Sequence, residues 1–190
     1  MPTIDVSTTA VLIMDYQNDI VANFGSGDAG LVQRAAGALD GARKAGIPII
    51  HVVIHFRPGY PEVTDRGTFK ALKDAGAFQE GSPGADIHPG VAPKEGDVVV
   101  VKKRVGAFSG SDLDYVLRGL GRHNLVLFGI ATSGVVLTTV RWAADLDFGL
   151  TVLSDCCADR DDEVHRVLLE KVLARQATVM TVGEFLAALP

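Results

Sequence analysis

"NLVLFGIATSGVVLTTV" (residues 124–140) reads as three things in succession. The apolar run 124–128 has the length of a buried strand. Residues 129–134 are mostly small and turn-forming. From Val135 onward the apolar spacing is helical. A strand, a tight turn and a helix in that order make one corner of a βαβ unit. Such corners are where α/β enzymes place a nucleophile, because the first turn of a helix offers free N–H groups to a developing anion. Here the residue at the tip is Val135, which has no nucleophilic atom.

The rest of the chain repeats the pattern. "AVLIMD" (10–15), "PIIHVVIHF" (48–56), "DVVVVK" (97–102), "LTVLSD" (150–155) and "ATVMTV" (177–182) join 124–129 as six expected strands. Most are continuously apolar, as strands covered on both faces should be. Helices are expected between them. One spans 29–45, with Gly46 as its stop before Pro48. One starts at Ser111 with Asp114 in a capping box and Gly121 after its last turn. One starts near Ser133, capped by Thr132 or Ser133, and stops at Gly149. One follows "DRDD" (159–162), and a short one is "GEFLAAL" (183–189). Strand–helix alternation implies right-handed crossovers and a parallel sheet between helical layers. The chain of 190 residues fits one domain over 1–190. Its irregular part is 57–96, rich in Pro and Gly, with a short helical stretch around "FKALKDAG" (69–76). A connection of that length reads as a lid or binding surface.

Composition narrows the function. Net charge is −5 and the densest basic cluster is "KKR" at 102–104, which argues against a nucleic-acid partner. No apolar run approaches a membrane span, and the N-terminal stretch lacks a signal-peptide pattern. The two cysteines, Cys156 and Cys157, are adjacent and ill-placed to bridge, so the expected compartment is the cytoplasm. His51 and His55 share a strand face, but no further ligands at metal spacing accompany them, so no metal is expected.

Ligands of open α/β sheets bind beyond the carboxyl ends of the strands. Asp15 ends the first strand directly after four apolar residues, where desolvation raises a carboxyl pKa into a useful acid–base range. Position alone leaves open that it only caps the next turn. Lys102 and Lys103 end the third strand, and consecutive strand residues face opposite ways. One of them could reach Asp15, or both could be solvated. Ala131, Thr132, Ser133 and Gly134 are small enough for a substrate to approach the backbone, or simply form a capped helix start. Phe108 either lines a pocket or packs in the core. A thiol at 156 or 157 is either a nucleophile or a small buried side chain.

Together these strand ends resemble the isochorismatase-like hydrolases, often called cysteine hydrolases. "VLIMDYQNDI" (11–20) is similar to the family's D-x-Q-N-D-F strand. "VVVVKKRVGAF" (98–108) is similar to its strand ending in Lys with S-A-F beyond it. The stretch 125–159 is similar to G-x-x-T-x-x-C-V-x-x-T-A followed by an Asp after the next strand. The chain departs from these patterns at Ile20 for Phe, Gly106 for Ser, Val140 for Ala and Val135 for Cys. The resemblance implies a three-layer α/β/α fold with a six-stranded parallel sheet of order 3-2-1-4-5-6. It places the catalytic Asp at Asp15, the Lys at Lys102 and the lost Cys at Val135. It puts an oxyanion hole at the N–H groups of Ala131 and Val135, and a cis peptide at Ile130–Ala131. Tyr16, Gln17, Phe24, Phe108 and residues 131–134 are the expected substrate contacts, with Trp142 a weaker one, at a pocket wall or a subunit interface. The implied protein is a homodimer or homotetramer needing no cofactor. The family's true isochorismatases also work without that Cys, through the Asp as an acid on an enol ether. The expectation is therefore Cys-independent acid–base hydrolysis of an enol-ether or C–N bond in a small polar substrate. Two rivals are an inactive binding homologue and an amidase whose nucleophile has moved to Cys156 or Cys157.

Overall fold

The computed structural model describes residues 3–25 and 27–190. Positions 1 and 2, part of the stretch read for a signal peptide, lie outside the described residues. Six strands form one parallel sheet: β1 (Thr9–Met14), β2 (Ile49–Ile54), β3 (Val98–Lys102), β4 (Asn124–Gly129), β5 (Gly149–Leu153) and β6 (Thr178–Met180). Their order is β3-β2-β1-β4-β5-β6, as the family resemblance implied. The order reverses between β1 and β4, so the crevice beyond their carboxyl ends is the natural ligand site. Helices α1 (Asn18–Phe24), α2 (Leu31–Lys44), α3 (Lys70–Asp74), α4 (Leu113–Gly119), α5 (Leu137–Asp145), α6 (Asp162–Val167) and α7 (Val182–Ala188) connect the strands or follow them.

Burial follows the sequence pattern. Every residue of β1 and β2 is buried, because helices cover both sheet faces. Edge strand β3 keeps Val99 exposed. In α2, Leu31, Ala35, Ala38, Leu39 and Ala42 form the buried stripe. The helix ends as predicted: Gly46 takes φ +73° while its N–H and that of Ile47 donate to Arg43 O and Ala42 O. Gly121 closes α4 in the same way, with φ +64°.

Three helix-end expectations need correction. The α4 start has no capping box: Asp112 is the N-cap, and the Ser111 hydroxyl donates instead to Ala107 O at 2.6 Å. The reciprocal box lies at Thr181 and Glu184, heading α7. Helix α5 does not run to Gly149. It stops at Asp145, and Asp147 takes the left-handed turn with φ +63°, which Asp tolerates better than most residues. Gly149 opens β5, where a side chain would collide with Asn124. Thr132 and Ser133 do not cap α5 either; residues 132–136 form a wide π turn preceding it.

The connection 57–96 lies against the start of α1. His88 N donates to Tyr16 O at 2.8 Å and Asn18 N to Asp86 O at 2.9 Å. Phe56 exchanges bonds with Phe78 O and Glu80 N at 2.8 and 2.9 Å. The segment is thereby fastened beside the strand ends that carry Asp15 and Lys102.

Candidate active site

Asp15 follows the last residue of β1, and its N–H still donates to Val52 O at 2.8 Å. Its φ is +60°, uncommon for a residue with a side chain, and turns the carboxylate across the carboxyl edge of the sheet. Lys102 ends β3, two strands away, in register with Ile54 of the intervening β2. At about 4.8 Å per strand the two backbones are roughly 10 Å apart. The extended lysine covers that distance: Nζ lies 2.9 Å from Asp15 Oδ2. Lys103 points the other way and donates to His55 O at 2.6 Å.

The pair is dry, with Asp15 5% and Lys102 1% exposed. Lys102 Nζ also donates to Arg104 O and Val105 O at 3.0 and 3.1 Å, so all three of its donors are placed. Asp15 differs. Oδ2 is held, while Oδ1 is buried with no partner among the described residues. Burial pushes the Asp15 carboxyl above the usual carboxylate range, and Lys102 opposes that only in part.

The β4–α5 corner stands beside this pair. Ile130–Ala131 is a cis peptide. Val135 is buried, with its side chain beside Gly129 at the end of β4. A Cβ added to Gly129 would come 2.7 Å from Met14 O and 3.2 Å from Val135 Cγ1, so Gly129 is what lets strand and corner approach. Four N–H groups of the corner are committed. Thr132 N goes to Ala158 O at 2.9 Å, and Ser133 N to Asp159 Oδ2 at 2.7 Å. Gly134 N and Val136 N both go to Ala131 O, at 3.1 and 3.3 Å. Thr132 Oγ1 lies 2.7 Å from His165 Nδ1 and 3.2 Å from Ala158 O.

A family model for the isochorismatase domain matches residues 9–184. The chain belongs to the isochorismatase family. The ureidoacrylate amidohydrolase RutB of Caulobacter vibrioides is 32% identical over 96% of this chain and 91% of its own length. The maleamate amidohydrolase of Pseudomonas putida is 29% identical over 90% and 82%. A solved isochorismatase family protein from Desulfovibrio vulgaris superposes with TM-score 0.84 at 31% identity, covering 94% of this chain and 96% of that one. The protein is thus a hydrolase of this superfamily, with the superfamily's sheet order.

Within this isochorismatase fold, several expected substrate contacts are otherwise engaged. Tyr16 is buried, its ring edge-on to Phe128 at 5.9 Å and its hydroxyl donating to Cys156 O at 2.8 Å. Gln17 is fully buried and committed three times: Nε2 to Ile54 O and Ala85 O, Oε1 from Ile54 N. It clamps the connection to β2 and has no spare group for a ligand. The Thr132 side chain is tied to His165 and Ala158 rather than free. Phe108 stacks on Trp142 at 6.4 Å and packs on Phe148, so it faces α5. Phe24 is half-buried beneath the Arg160 guanidinium, 4.2 Å from its ring centre. His51 bonds Asp97 at 3.2 Å and His55 bonds Ala85 O at 2.9 Å, each away from the other. No group of three metal-ligating side chains occurs among the described residues.

Four contributors to the site were given no such role by the sequence reading. The carbonyls of Arg104 and Val105 seat Lys102, and backbone acceptors leave no mark on residue type. Asp159 was read as a helix-start acid and as the end of the stretch 125–159, but neither reading assigned it the corner that it holds. His165 carried no signal, because its partner is 33 positions away.

Proposed function

We propose that this protein hydrolyses a small polar molecule without a cysteine nucleophile, by acid–base chemistry at Asp15. The observation that carries the reading is the carboxyl itself, with one oxygen held by Lys102 and the other buried and unpartnered. A carboxyl whose pKa is raised keeps its proton to higher pH than an ordinary carboxyl does, and can deliver it from Oδ1. Toward an enol ether it acts as the acid, and water completes the hydrolysis. Toward a C–N bond, the bond class named by the two amidohydrolase relatives, its ionised form serves as base to a water. Lys102 supplies the fixed countercharge for that form. The N–H groups of Ala131 and Val135, outside the four committed ones, are the donors assigned to the developing oxyanion. Ser133 and Gly134 let the substrate approach the backbone.

Val135 closes the thioester route at the corner. Relocation to another thiol is disfavoured. Cys156 and Cys157 are buried, and burial pushes both thiols up, Cys157 to about 12, so little thiolate exists at neutral pH. The same reading makes the protein a cytoplasmic homodimer or homotetramer. Free cysteines support the compartment, and the half-exposed Trp142 supports the assembly. No helix of the described residues is long and apolar enough to cross a membrane.

The test is turnover against a panel of enol-ether acids and small amides, before and after treatment with iodoacetamide. Turnover that survives alkylation and is lost in Asp15→Asn with unchanged circular dichroism is the expected result. Turnover abolished by alkylating Cys156 or Cys157 overturns the reading.

A further inference from the structure

Arg104 holds two structures at once. Its carbonyl, with that of Val105, accepts from Lys102 Nζ at 3.0 and 3.1 Å. Its guanidinium reaches into the connection 57–96: Nη2 donates to Glu62 O at 2.9 Å, and Cζ lies 5.2 Å from the centre of the Phe69 ring. Nη1 turns back to Lys103 O at 2.6 Å and so stiffens the turn between the two ends. Phe69 packs edge-on against Phe56 at 6.1 Å. Lys103 adds a second strap, donating to His55 O and lying 3.7 Å from Glu62 Oε1. Arg57 pairs with that same carboxylate. Glu62 Oε2 is buried with no partner among the described residues.

We propose that Arg104 is a positioning residue: through its own backbone it transmits the placement of the connection 57–96 to the ammonium of Lys102, and thence to Asp15. The inference rests on the reading of Asp15 and Lys102 as the working pair. An ammonium settles where its acceptors are, and two of the three acceptors here are the carbonyls of residues 104 and 105. When the guanidinium loses Glu62 O and the Phe69 face, the peptide at 104 is free to rotate. Lys102 then no longer has its seat within 2.9 Å of Asp15. Lys102 is the charged group paired with Asp15 among the described residues, so its displacement leaves the carboxylate unbalanced in a dry site. The charged groups facing the Arg104 guanidinium and its turn are Glu62, Arg57 and Lys103.

The experiment needs no substrate. The Asp15 side-chain carboxyl is followed by carbon-13 NMR across pH, assigned with Asp15→Asn, in wild type, Arg104→Met, Arg104→Lys and Phe69→Leu. Arg104→Met keeps an apolar stem and loses the donors; the Asp15 midpoint is expected to rise by about one pH unit, a tenfold gain in proton affinity. Phe69→Leu moves it the same way by less. Arg104→Lys, which still offers a donor to Glu62 O, stays close to wild type. An unchanged midpoint in Arg104→Met overturns the inference even if the protein melts earlier, since a merely structural role lowers stability without moving Asp15. Should Arg104→Met fail to fold, an unchanged midpoint in Phe69→Leu overturns it. Full turnover in Asp15→Asn sinks the acid–base reading instead and leaves the dependence of the midpoint on Arg104 standing.

Discussion

Asp15 combines a left-handed backbone, near-complete burial and one unpartnered oxygen, each of which disfavours its ionised native form or its backbone. A non-glycine residue at positive φ costs about 1 kcal/mol. The raised carboxyl pKa sets the sign of a pH effect. Between the unfolded value and the higher folded one, the native state binds a proton that the unfolded chain has released. Stability therefore falls as pH rises through that window. Asp15→Asn removes the proton exchange, so its stability relative to wild type should improve as pH rises above the unfolded carboxyl value of about 4, as read by urea denaturation at a series of pH values. A flat difference across that range contradicts the assigned direction. Val135 gives the second prediction. Val135→Cys puts a thiol at the corner before α5, where N–H groups favour thiolate. Position 135 is itself buried, so labelling depends on the thiolate that the corner N–H groups favour: the variant should gain one iodoacetamide adduct by intact mass under native conditions, while wild type, whose Cys156 and Cys157 thiols are pushed up by burial, gains none. Labelling of wild type at 156 or 157 would point to a migrated nucleophile.

The elements show how the corner is held without a cysteine at 135. Helix α5 is entered through the π turn 132–136, which is anchored from outside itself by Ala158, Asp159 and His165. None of those anchors depends on the side chain at 135. Gly129 matters more to the geometry than Val135 does. A methyl group there would stand 2.7 Å from Met14 O and 2.9 Å from Met14 Cβ, against the backbone of the neighbouring strand. Gly129→Ala should force β1 and β4 apart at their carboxyl ends and cost about 1–3 kcal/mol, the usual penalty for overpacking. Thermal unfolding measures the cost. A variant with wild-type stability and an unshifted Asp15 NMR midpoint would mean the strands yield without strain.

Across the whole molecule, the sheet alone does not build the site. The connection 57–96 is docked onto it by buried polar contacts, and Gln17 is the hub with bonds to Ile54 on β2 and to Ala85 in the connection. Gln17→Leu leaves Ile54 O, Ile54 N and Ala85 O without their side-chain partner in a dry place. Each such group costs about 1–3 kcal/mol when buried unsatisfied. The variant should melt earlier and show faster amide exchange in 83–91 than in β4. Uniform acceleration over the whole chain would instead mean global destabilisation without local release of the connection.

The chain's own pattern determined the six strands, their parallel arrangement, and two of the helix stops. Continuous apolar runs have few other uses in a domain of this size, and Gly46 and Gly121 supply a positive φ where a helix must end. Asp15 was legible because a carboxyl after four apolar residues stands out wherever it lies. Lys102 was legible only as one of two lysines until the resemblance to the family chose between them. Tertiary structure decided the rest. It alone bridges Asp15 and Lys102 across β2, because that contact joins residues 87 positions apart through a side chain's reach. It alone turns Tyr16 and Gln17 from apparent ligand contacts into core tethers, since a polar residue's partner is invisible in its own neighbourhood. It ends α5 at Asp145 because Asp147 accepts the left-handed turn and Gly149 is needed beside Asn124. Residue type marks what a group can do, whereas distance and burial decide which of those things remains open to it.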